Sequence, residues 1–366
     1  MSESVVLFEE LPANNGSKIG KVVLNIPKTL NSLTLEMVEL LLERLAQWEE
    51  DESIACLIVS GSGGKAFCAG GDVQALHASA IKTPGGPCVE AETFFEREYR
   101  MDYAFHNYSK PVIVWGDGIV MGGGLGIFAG GSHRVVTETS RFAMPEVTIA
   151  LFPDVGGSYF LNRTPGQSGR FLALTGASFN ASDAIYLGIA DSFVAREYYD
   201  PVEAALVDVA PSSDDDVDAV LEPFIAKSKL EQRVGQIDAR QEQIDTLCKF
   251  SNTLDVVEAV RGLETEDKWL SKAKSGLLDG SPLAALWIDE QLKRTKDASL
   301  ADVFRSELLL ATNVVRYPEF AEGVRALLID KDREPKWQFS SVEAVERDLV
   351  ESFFNSPWDS NPLADL

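Results

Sequence analysis

Short apolar runs alternate with amphipathic stretches through the first half of the chain. KVVLN (Lys21–Asn25), IACLIVSG from Ile54 and KPVIVWGDG from Lys110 are predicted to be strands. IACLIVSG has the continuous hydrophobicity of a strand that is buried on both faces. LTLEMVELLLERLAQWEED from Leu33 has helical spacing, and another helix is predicted over about residues 91–108. This order predicts an α/β fold with largely parallel strands.

The pattern changes near residue 195 and is nearly all helical to about residue 331. Within this part, Ser281 is predicted to cap a helix whose first position is Pro282. The stretch SSDDDVDA is expected to be a solvated acidic loop, and the terminal NSPWDSNPLADL is expected to be frayed. We therefore predict a core over residues 1–200 and a mainly helical region over residues 201–366, which serves as a lid or in oligomerisation.

Charge and composition narrow the classes of partner. The chain has 366 residues and a net charge of -24, which argues against binding to nucleic acid or to an anionic membrane. No apolar run approaches the roughly 20 residues of a membrane span. The acidic N-terminus resembles neither a secretory signal nor a transit peptide, so we expect a bacterial cytoplasmic protein, or a mitochondrial matrix protein if the source is eukaryotic. We expect the four cysteines to be free thiols.

Two glycine clusters each follow a predicted buried strand. One is Ala69-Gly70-Gly71-Asp72, and the other is Gly122-Gly123-Gly124. Glycine lets a backbone N–H approach a ligand without a Cβ in the way. Two such N–H groups from separate loops can bind one oxygen as an oxyanion hole. The small, apolar run after the second cluster predicts a buried helix, although either cluster alone is also typical of a tight turn.

Two acids lie in the apolar stretch MPEVTIALFPDVGG. Glu146 and Asp154 each follow a proline directly. Two neighbouring carboxylates in an apolar pocket should interact, and the pKa of at least one should rise. The alternative is a purely structural role, since carboxylates often cap free N–H groups at turns and helix starts.

Several common motifs are absent from the sequence. The stretch GSGGKA lacks the Ser or Thr that a phosphate-binding loop needs after Lys65, and the three histidines lack the spacing of zinc ligands. A loose GxGxxA match at Gly61–Ala66 leaves a nicotinamide-dependent oxidoreductase as an alternative. A non-catalytic binding or scaffolding protein is another. We expect no metal and no separate cofactor.

Three motifs together resemble the enoyl-CoA hydratase/isomerase (crotonase) superfamily: KAFCAGGDV, GIVMGGGLG and FAMPEVTIALFPDVGG. AMPE…LFPDVGGSYFL and EGVRALLIDKDREPKW are similar to one branch of it, the 3-hydroxyisobutyryl-CoA hydrolases. The resemblance implies a spiral of ββα units with a C-terminal helical region, and an acyl-CoA thioester as the substrate, with coenzyme A as part of that substrate. It also implies a trimer or hexamer.

The resemblance also implies roles for particular residues. It places the oxyanion hole at the N–H groups of Gly71 and Gly123, and contacts to coenzyme A at Lys28 and Ala69. It makes Glu98 a further substrate contact. Lys28 has an equally good interpretation as an exposed lysine at a strand end. For Glu98 the alternative is a solvated charge on a helix, and its spacing of 25 residues before Gly123 slightly favours the substrate contact.

The resemblance favours thioester hydrolysis over hydration. Hydratases of the superfamily have a second glutamate where this chain has Gly126, whereas the hydrolase branch has an acid at the position of Asp154. Glu146 is then a nucleophile that gives a mixed anhydride, or a general base on water. Asp154 binds the 3-hydroxyl, assists a proton transfer, or both. The expected products are coenzyme A and 3-hydroxyisobutyrate, as in valine degradation, and a hydratase or isomerase of the same superfamily is the alternative.

Overall fold

The computed structural model describes residues 4–229 and 234–366. Within these residues, the strands alternate with helices in the first half of the chain, as predicted. In chain order the strands are β1 (Val6–Pro12), β2 (Lys18–Leu24), β3 (Ile54–Gly61), β4 (Ala66–Cys68), β5 (Val112–Gly116), β6 (Ile119–Met121), β7 (His133–Val136), β8 (Arg141–Ala143), β9 (Phe179–Asn180) and β10 (Ser192–Phe193).

The helices include the ones predicted from the sequence and continue to the C-terminal region. They are α1 (Leu35–Glu50), α2 (Val73–Lys82), α3 (Val89–His106), α4 (Gly123–Ala129), α5 (Gly157–Leu161), α6 (Ser168–Thr175), α7 (Ala181–Tyr186), α8 (Tyr199–Val209), α9 (Asp214–Ser228), α10 (Gln241–Cys248), α11 (Thr253–Arg261), α12 (Lys268–Asp279), α13 (Pro282–Arg294), α14 (Leu300–Arg316), α15 (Pro318–Val324) and α16 (Arg347–Ser352). Over the residues that are described, none of the helices has both the length and the apolar character needed to cross a bilayer.

The chain forms two compact units, each built from three segments. Unit 1 contains the described parts of residues 1–71, 100–142 and 179–236. Unit 2 contains residues 72–99, 143–178 and the stretch from residue 237 to the C-terminus. The boundary near residue 200 that the sequence suggested stays a prediction.

Unit 1 is built on two sheets. The larger sheet has the order β1-β2-β3-β5-β7-β10, with β1 antiparallel to β2 and the other neighbours parallel. The smaller sheet has the order β4-β6-β8-β9, in which β4 and β6 are parallel. The parallel strands are apolar on both faces because both faces are covered.

A hydrophobic core joins one face of the larger sheet to α8 and α9. The strands supply branched aliphatic side chains and one tryptophan, and the helices supply residues at helical spacing. Its buried members from the sheet are Ile19, Cys56, Ile58, Ile113, Trp115 and Val135, and those from the helices include Val202, Leu206, Val217, Val220 and Leu221.

The connection between β2 and α1 is organised by Asn31. This residue is fully buried and adopts a left-handed conformation with φ 57°, which asparagine tolerates better than most residues. Its side-chain oxygen accepts from the N–H of Ile26 at 2.9 Å. Its amide nitrogen donates to the carbonyl oxygens of Ser62 and Ala66, both at 3.0 Å. One side chain therefore fixes the connection after β2 against the segment that leads into β4.

Unit 2 is helical, and α14, which lies wholly within it, is strongly amphipathic. The buried face of α14 includes Phe304, Leu308 and Ala311, and also the acid Glu307. The predicted cap of α13 is confirmed, since the Ser281 side chain accepts from the N–H of Ala284 and Pro282 is the first helical residue.

Two sequence-based predictions about polar segments were wrong. The stretch SSDDDVDA is the start of α9, because Ser213 caps the N–H of Asp216 and the following acids fall in the first helical turn. Acids are favourable there because helix N-termini carry partial positive charge. The C-terminal tail is packed, since Leu363 is fully buried and the Asn361 amide donates to the carbonyl oxygen of Arg305.

Replacing Asn31 should destabilise the protein. Asn31→Ala leaves the N–H of Ile26 and two carbonyl groups without their partners and places a Cβ-only residue at a positive φ. We expect a loss of about 3 kcal/mol in the free energy of unfolding, measured by urea denaturation. Asn14→Ala is the control, because Asn14 is exposed and its amide donates to Asp208 on the protein surface. Equal stability of the two variants would contradict the role of Asn31.

Candidate active site

The pairing of β4 and β6 brings the two glycine clusters of unit 1 together. Because the strands are parallel, the loops that follow them leave from the same edge of the sheet. A Cβ built on Gly70 would lie 3.3 Å from the carbonyl oxygen of Met121 and 3.7 Å from the nitrogen of Gly123. Gly70 has φ 109° and Gly122 has φ 49°, so both turns need the left-handed region that glycine enters freely.

The N–H groups of Gly71 and Gly123 are available to a ligand. Gly123 is the first residue of α4, and the first N–H groups of a helix have no intrahelical acceptor. Gly71 pairs with Leu33 through a bridge in which Leu33 donates to the carbonyl oxygen of Gly70 at 2.8 Å. In the parts of the chain that the structure describes, neither Gly71 nor Gly123 uses its N–H in a hydrogen bond. The two predicted oxyanion donors therefore lie in adjacent loops.

The predicted coenzyme A contacts flank the same loops. The N–H of Ala69 donates to the carbonyl oxygen of Leu30 at 3.0 Å, so only the rest of Ala69 can meet a ligand. This bond places the 3-10 helix Pro27–Thr29, which carries Lys28, beside the first glycine cluster. Lys28 is exposed and follows β2 instead of ending it. The contacts of Lys28 and Ala69 with coenzyme A stay predictions.

The three predicted acids lie together in unit 2. Glu98 is on α3, and Glu146 opens the 3-10 helix Glu146–Ile149, with Pro145 as its N-cap. Asp154 precedes α5. All three side chains are buried, at 2% exposure for Glu98, 5% for Glu146 and 4% for Asp154. The interpretation of Glu98 as a solvated helix charge was therefore wrong.

Burial without a basic partner dominates the electrostatics of these acids. None of the three forms a salt bridge within the described residues. Burial raises the pKa of Glu98 well above its usual range, and the charges of Asp154 and Glu146 raise it further. Burial, followed by the charge of Asp154, does the same to the pKa of Glu146. For Asp154, burial raises the pKa from 3.8 to about 6, against the hydrogen bond from Tyr99, which lowers it.

Two of these acids carry oxygens that are available to a ligand. Oε1 of Glu98 and Oε2 of Glu146 are buried and make no hydrogen bond to any described residue. Buried polar atoms are nearly always paired, so an exception indicates a site that a ligand or water completes. Carboxyl groups with raised pKa values suit proton transfer near neutral pH.

Sequence reasoning missed two residues that hold Asp154 and the turn after it. The Tyr99 hydroxyl donates to Oδ2 of Asp154 at 2.7 Å. Glu307 accepts from the N–H groups of Gly156 at 2.7 Å and Ser158 at 2.9 Å. Tyr99 stands next to Glu98 in the predicted helix, and this adjacency was the available signal. Glu307 gave none, because it is 151 residues from Gly156 and sits among the apolar residues of α14.

The resemblance aligns Gly126 with the second glutamate of hydratases, and this correspondence stays a prediction. Gly126 lies within α4, which is buried along its whole length. The helix starts with Gly123 and Gly124, which precede Gly126. A Cβ on Gly124 would overlap the carbonyl oxygen of Cys68. The helix is therefore packed too closely for a larger side chain at Gly124.

The sequence matches known proteins along nearly its whole length. A family model described as enoyl-CoA hydratase/isomerase matches residues 19–354. A Danio rerio protein named mitochondrial 3-hydroxyisobutyryl-CoA hydrolase is 37% identical over 96% of this chain and 90% of its own length. The Homo sapiens protein of that name is 35% identical over 97% of this chain and 91% of its own length.

Solved structures confirm the fold. A carnitinyl-CoA dehydratase from Mycobacterium thermoresistibile is 34% identical and has a TM-score of 0.85, covering 97% of this chain and 98% of its own. An enoyl-CoA hydratase from Rhodobacter sphaeroides is 32% identical with a TM-score of 0.84 and the same coverage. The motifs, the fold and the full-length matches agree, and the chain belongs to the enoyl-CoA hydratase/isomerase family.

Proposed function

We propose that this protein is an acyl-CoA thioester hydrolase that acts on 3-hydroxyisobutyryl-CoA. The observation that carries the proposal is the pair of buried acids Glu146 and Asp154, together with glycine at position 126. The relatives named 3-hydroxyisobutyryl-CoA hydrolase support the same substrate. One carboxylate for the chemistry and a second for the hydroxyl of the substrate fit hydrolysis better than hydration, which needs two acid–base groups around one water.

The proposed role of Gly71 and Gly123 is to bind the thioester carbonyl oxygen through their N–H groups. Attack on the carbonyl carbon places negative charge on that oxygen. Backbone donors that are already oriented stabilise this charge without reorganising, and removing one such donor typically costs about 3–4 kcal/mol of barrier lowering. The proposed contacts from Lys28 and Ala69 hold the coenzyme A part of the substrate.

The proposed role of Glu146 is at the carbonyl carbon. As a nucleophile, its carboxylate displaces the coenzyme A thiolate and forms a mixed anhydride that water then hydrolyses. As a general base, it takes a proton from the attacking water and passes it to the leaving sulfur. In both routes one water is consumed, the C–S bond breaks, and the products are a carboxylic acid and the thiol of coenzyme A.

Asp154 and Glu98 are proposed to recognise the 3-hydroxyl group. The pKa of Asp154 is raised to about 6, so Asp154 is mainly ionised at neutral pH and can accept from a hydroxyl. Burial and the charges of Asp154 and Glu146 raise the pKa of Glu98, which favours a protonated carboxyl group that can donate. A site built to pair a hydroxyl discriminates against the analogue that lacks it, because a buried polar group is then left unpaired.

The setting of the reaction follows from the same proposal. Hydrolysis of 3-hydroxyisobutyryl-CoA belongs to valine degradation. The curated relatives described above are named as mitochondrial, which supports the mitochondrial matrix for a eukaryotic source, and the cytoplasm is proposed for a bacterial source. A homo-oligomer, trimeric or hexameric, is proposed from the family resemblance.

The alternative is hydration of an enoyl-CoA, because the solved relatives described above are named as a dehydratase and a hydratase. The two functions are distinguished by incubating the protein with 3-hydroxyisobutyryl-CoA and with crotonyl-CoA. Release of free thiol from the first ester supports the hydrolase. Loss of the conjugated enoyl absorbance without thiol release would support the hydratase instead.

Glu146→Gln should abolish thiol release from 3-hydroxyisobutyryl-CoA. The amide keeps the shape of the side chain but can neither attack a carbonyl nor take a proton. We expect kcat to fall by roughly 10³-fold or more, with Kd for the ester changed little, by stopped-flow assay and calorimetry. Glu319→Gln, which alters another buried glutamate of unit 2, is the control for nonspecific damage. A Glu146→Gln enzyme with near-normal kcat would remove the assigned role.

Asp154→Asn should reduce hydrolysis of hydroxylated esters more than that of plain ones. The amide has one acceptor oxygen where the carboxylate has two, so it cannot accept from Tyr99 and from the 3-hydroxyl of the substrate as the carboxylate does. We expect the ratio of kcat/KM for 3-hydroxyisobutyryl-CoA to that for isobutyryl-CoA to fall by about tenfold to a hundredfold. If both esters lose rate equally, Asp154 does not recognise the hydroxyl.

Asp154→Asn should also change how stability depends on pH. The pKa of Asp154 is higher in the folded protein, so the folded state binds more protons between about pH 4 and pH 6, and stability falls as the pH rises through that window. The variant lacks this titration. From pH 5 to pH 8 it should gain about 1–2 kcal/mol relative to the parent, by urea denaturation. A difference in stability between Asp154→Asn and the parent that stays flat over this range would contradict the burial of Asp154 as an acid.

A further inference from the structure

The turn that carries Asp154 has a strained backbone. Val155 has φ 53°, and Gly156 follows with φ 81°. A β-branched residue in the left-handed region is a true outlier, since its side chain crowds the backbone there. Such strain persists only where the surrounding structure holds the residue in place. The turn closes through a 2.6 Å hydrogen bond from the N–H of Gly157 to the carbonyl oxygen of Asp154.

Glu307, on α14, holds this turn by hydrogen bonds to its backbone. Its two oxygens accept from the N–H groups of Gly156 and Ser158, one on each side of Gly157. These groups begin α5, whose N-cap is a glycine without a side chain to satisfy them. The buried carboxylate of Glu307, from a helix distant in sequence, therefore accepts the hydrogen bonds that an N-cap side chain would normally accept. Burial raises the pKa of Glu307, and the bonds from the two N–H groups oppose that shift.

The same helix also supports the other contact of Asp154. Phe304 precedes Glu307 by three residues and lies on the same face of α14. Its ring packs against the ring of Tyr99 with the centroids 5.9 Å apart. Tyr99 in turn donates to Asp154. One face of α14 therefore contacts the turn that follows Asp154, through Glu307, and the tyrosine that donates to Asp154, through Phe304.

We propose that Glu307 is a positioning residue that aims Asp154 at the substrate and so sets the preference for esters with a 3-hydroxyl. It does not touch the reacting atoms, and its effect passes through the Asp154–Ser158 turn. This inference rests on the proposed function, in which Asp154 recognises the hydroxyl. It assigns a role in substrate selection to the C-terminal helical region, where the sequence suggested a lid or an oligomer interface.

The test compares Glu307→Gln with the parent enzyme. Glutamine has one acceptor oxygen, so at least one of the N–H groups of Gly156 and Ser158 loses its partner. We expect the ratio of kcat/KM for 3-hydroxyisobutyryl-CoA to that for isobutyryl-CoA to fall by about tenfold or more. The matched control is Asp183→Asn in unit 1, another fully buried carboxylate that accepts from two backbone N–H groups, those of Asn180 and Gln236. It should lower stability and leave the ratio unchanged.

A double-variant cycle shows whether Glu307 acts through Asp154. In an Asp154→Asn background, Glu307→Gln should not lower the ratio further, because the residue that it positions is already gone. A further loss of similar size in that background would overturn the proposal. So would a folded Glu307→Gln enzyme whose ratio equals that of the parent. If Glu307→Gln does not fold, Glu307→Asp, whose carboxylate is one methylene shorter, is carried through the same cycle with the same two outcomes.

Hydrogen–deuterium exchange separates this proposal from the proposed function. In Glu307→Gln the amides of Gly156 and Ser158 should exchange at least about tenfold faster, since each loses or weakens its bond to the buried acceptor. Unchanged exchange overturns the bracing of the turn, whatever the substrate is. If exchange is faster in Glu307→Gln but the parent enzyme hydrolyses 3-hydroxyisobutyryl-CoA and isobutyryl-CoA with equal kcat/KM, the proposed role of Asp154 is overturned. The link between Glu307 and selectivity is then overturned with it.

Discussion

The burial of several carboxyl groups without a basic partner is the constraint on which the rest of unit 2 depends. Removing a charge from water is costly, and within the described residues Glu98, Glu146 and Asp154 have no salt bridge to offset that cost. The protein compensates in part with hydrogen bonds, of which the one from Tyr99 to Asp154 is the clearest. The remaining cost appears as raised pKa values, and these are the property that acid–base chemistry near neutral pH requires. Stability is given up where the chemistry is proposed to occur.

The glycine loops of unit 1 show a different solution, in which the backbone itself supplies the functional groups. Parallel pairing of β4 and β6 sends both loops out from one edge, and positive φ values at Gly70 and Gly122 turn the chain sharply enough to leave N–H groups available. Asn31 fixes the neighbouring connection with three hydrogen bonds. Because these donors belong to the main chain, their placement depends on strand register and close packing, and no side-chain choice can replace it.

The sequence predicted the features that depend on residues close together along the chain. Apolar runs located the buried strands, Ser281 with Pro282 located a helix start, and the proline-linked acids and glycine clusters located the proposed chemistry. It failed where the meaning of a residue depends on a distant segment. Glu307 looks like one more acid on an amphipathic helix until the fold brings it to Gly156 and Ser158. The acidic run after Ser213 resembles a solvated loop, because the capping role of Ser213 is recognisable only together with the helix that follows.

The overall likeness to hydratases and the proposed hydrolysis are compatible, because fold and reaction depend on different residues. Structural similarity to the hydratases describes the course of the backbone. A backbone that directs two N–H groups at a thioester oxygen can serve any reaction that develops negative charge on that oxygen. The reaction then depends on which side chains surround the carbonyl. In the proposed function, hydration is disfavoured because residue 126 of α4 is glycine, and the carboxylate that recognises the hydroxyl is Asp154, on the turn held by Glu307. On this view the change of chemistry needed a braced turn as well as a new carboxylate, because an aspartate on a loose turn would recognise a hydroxyl poorly.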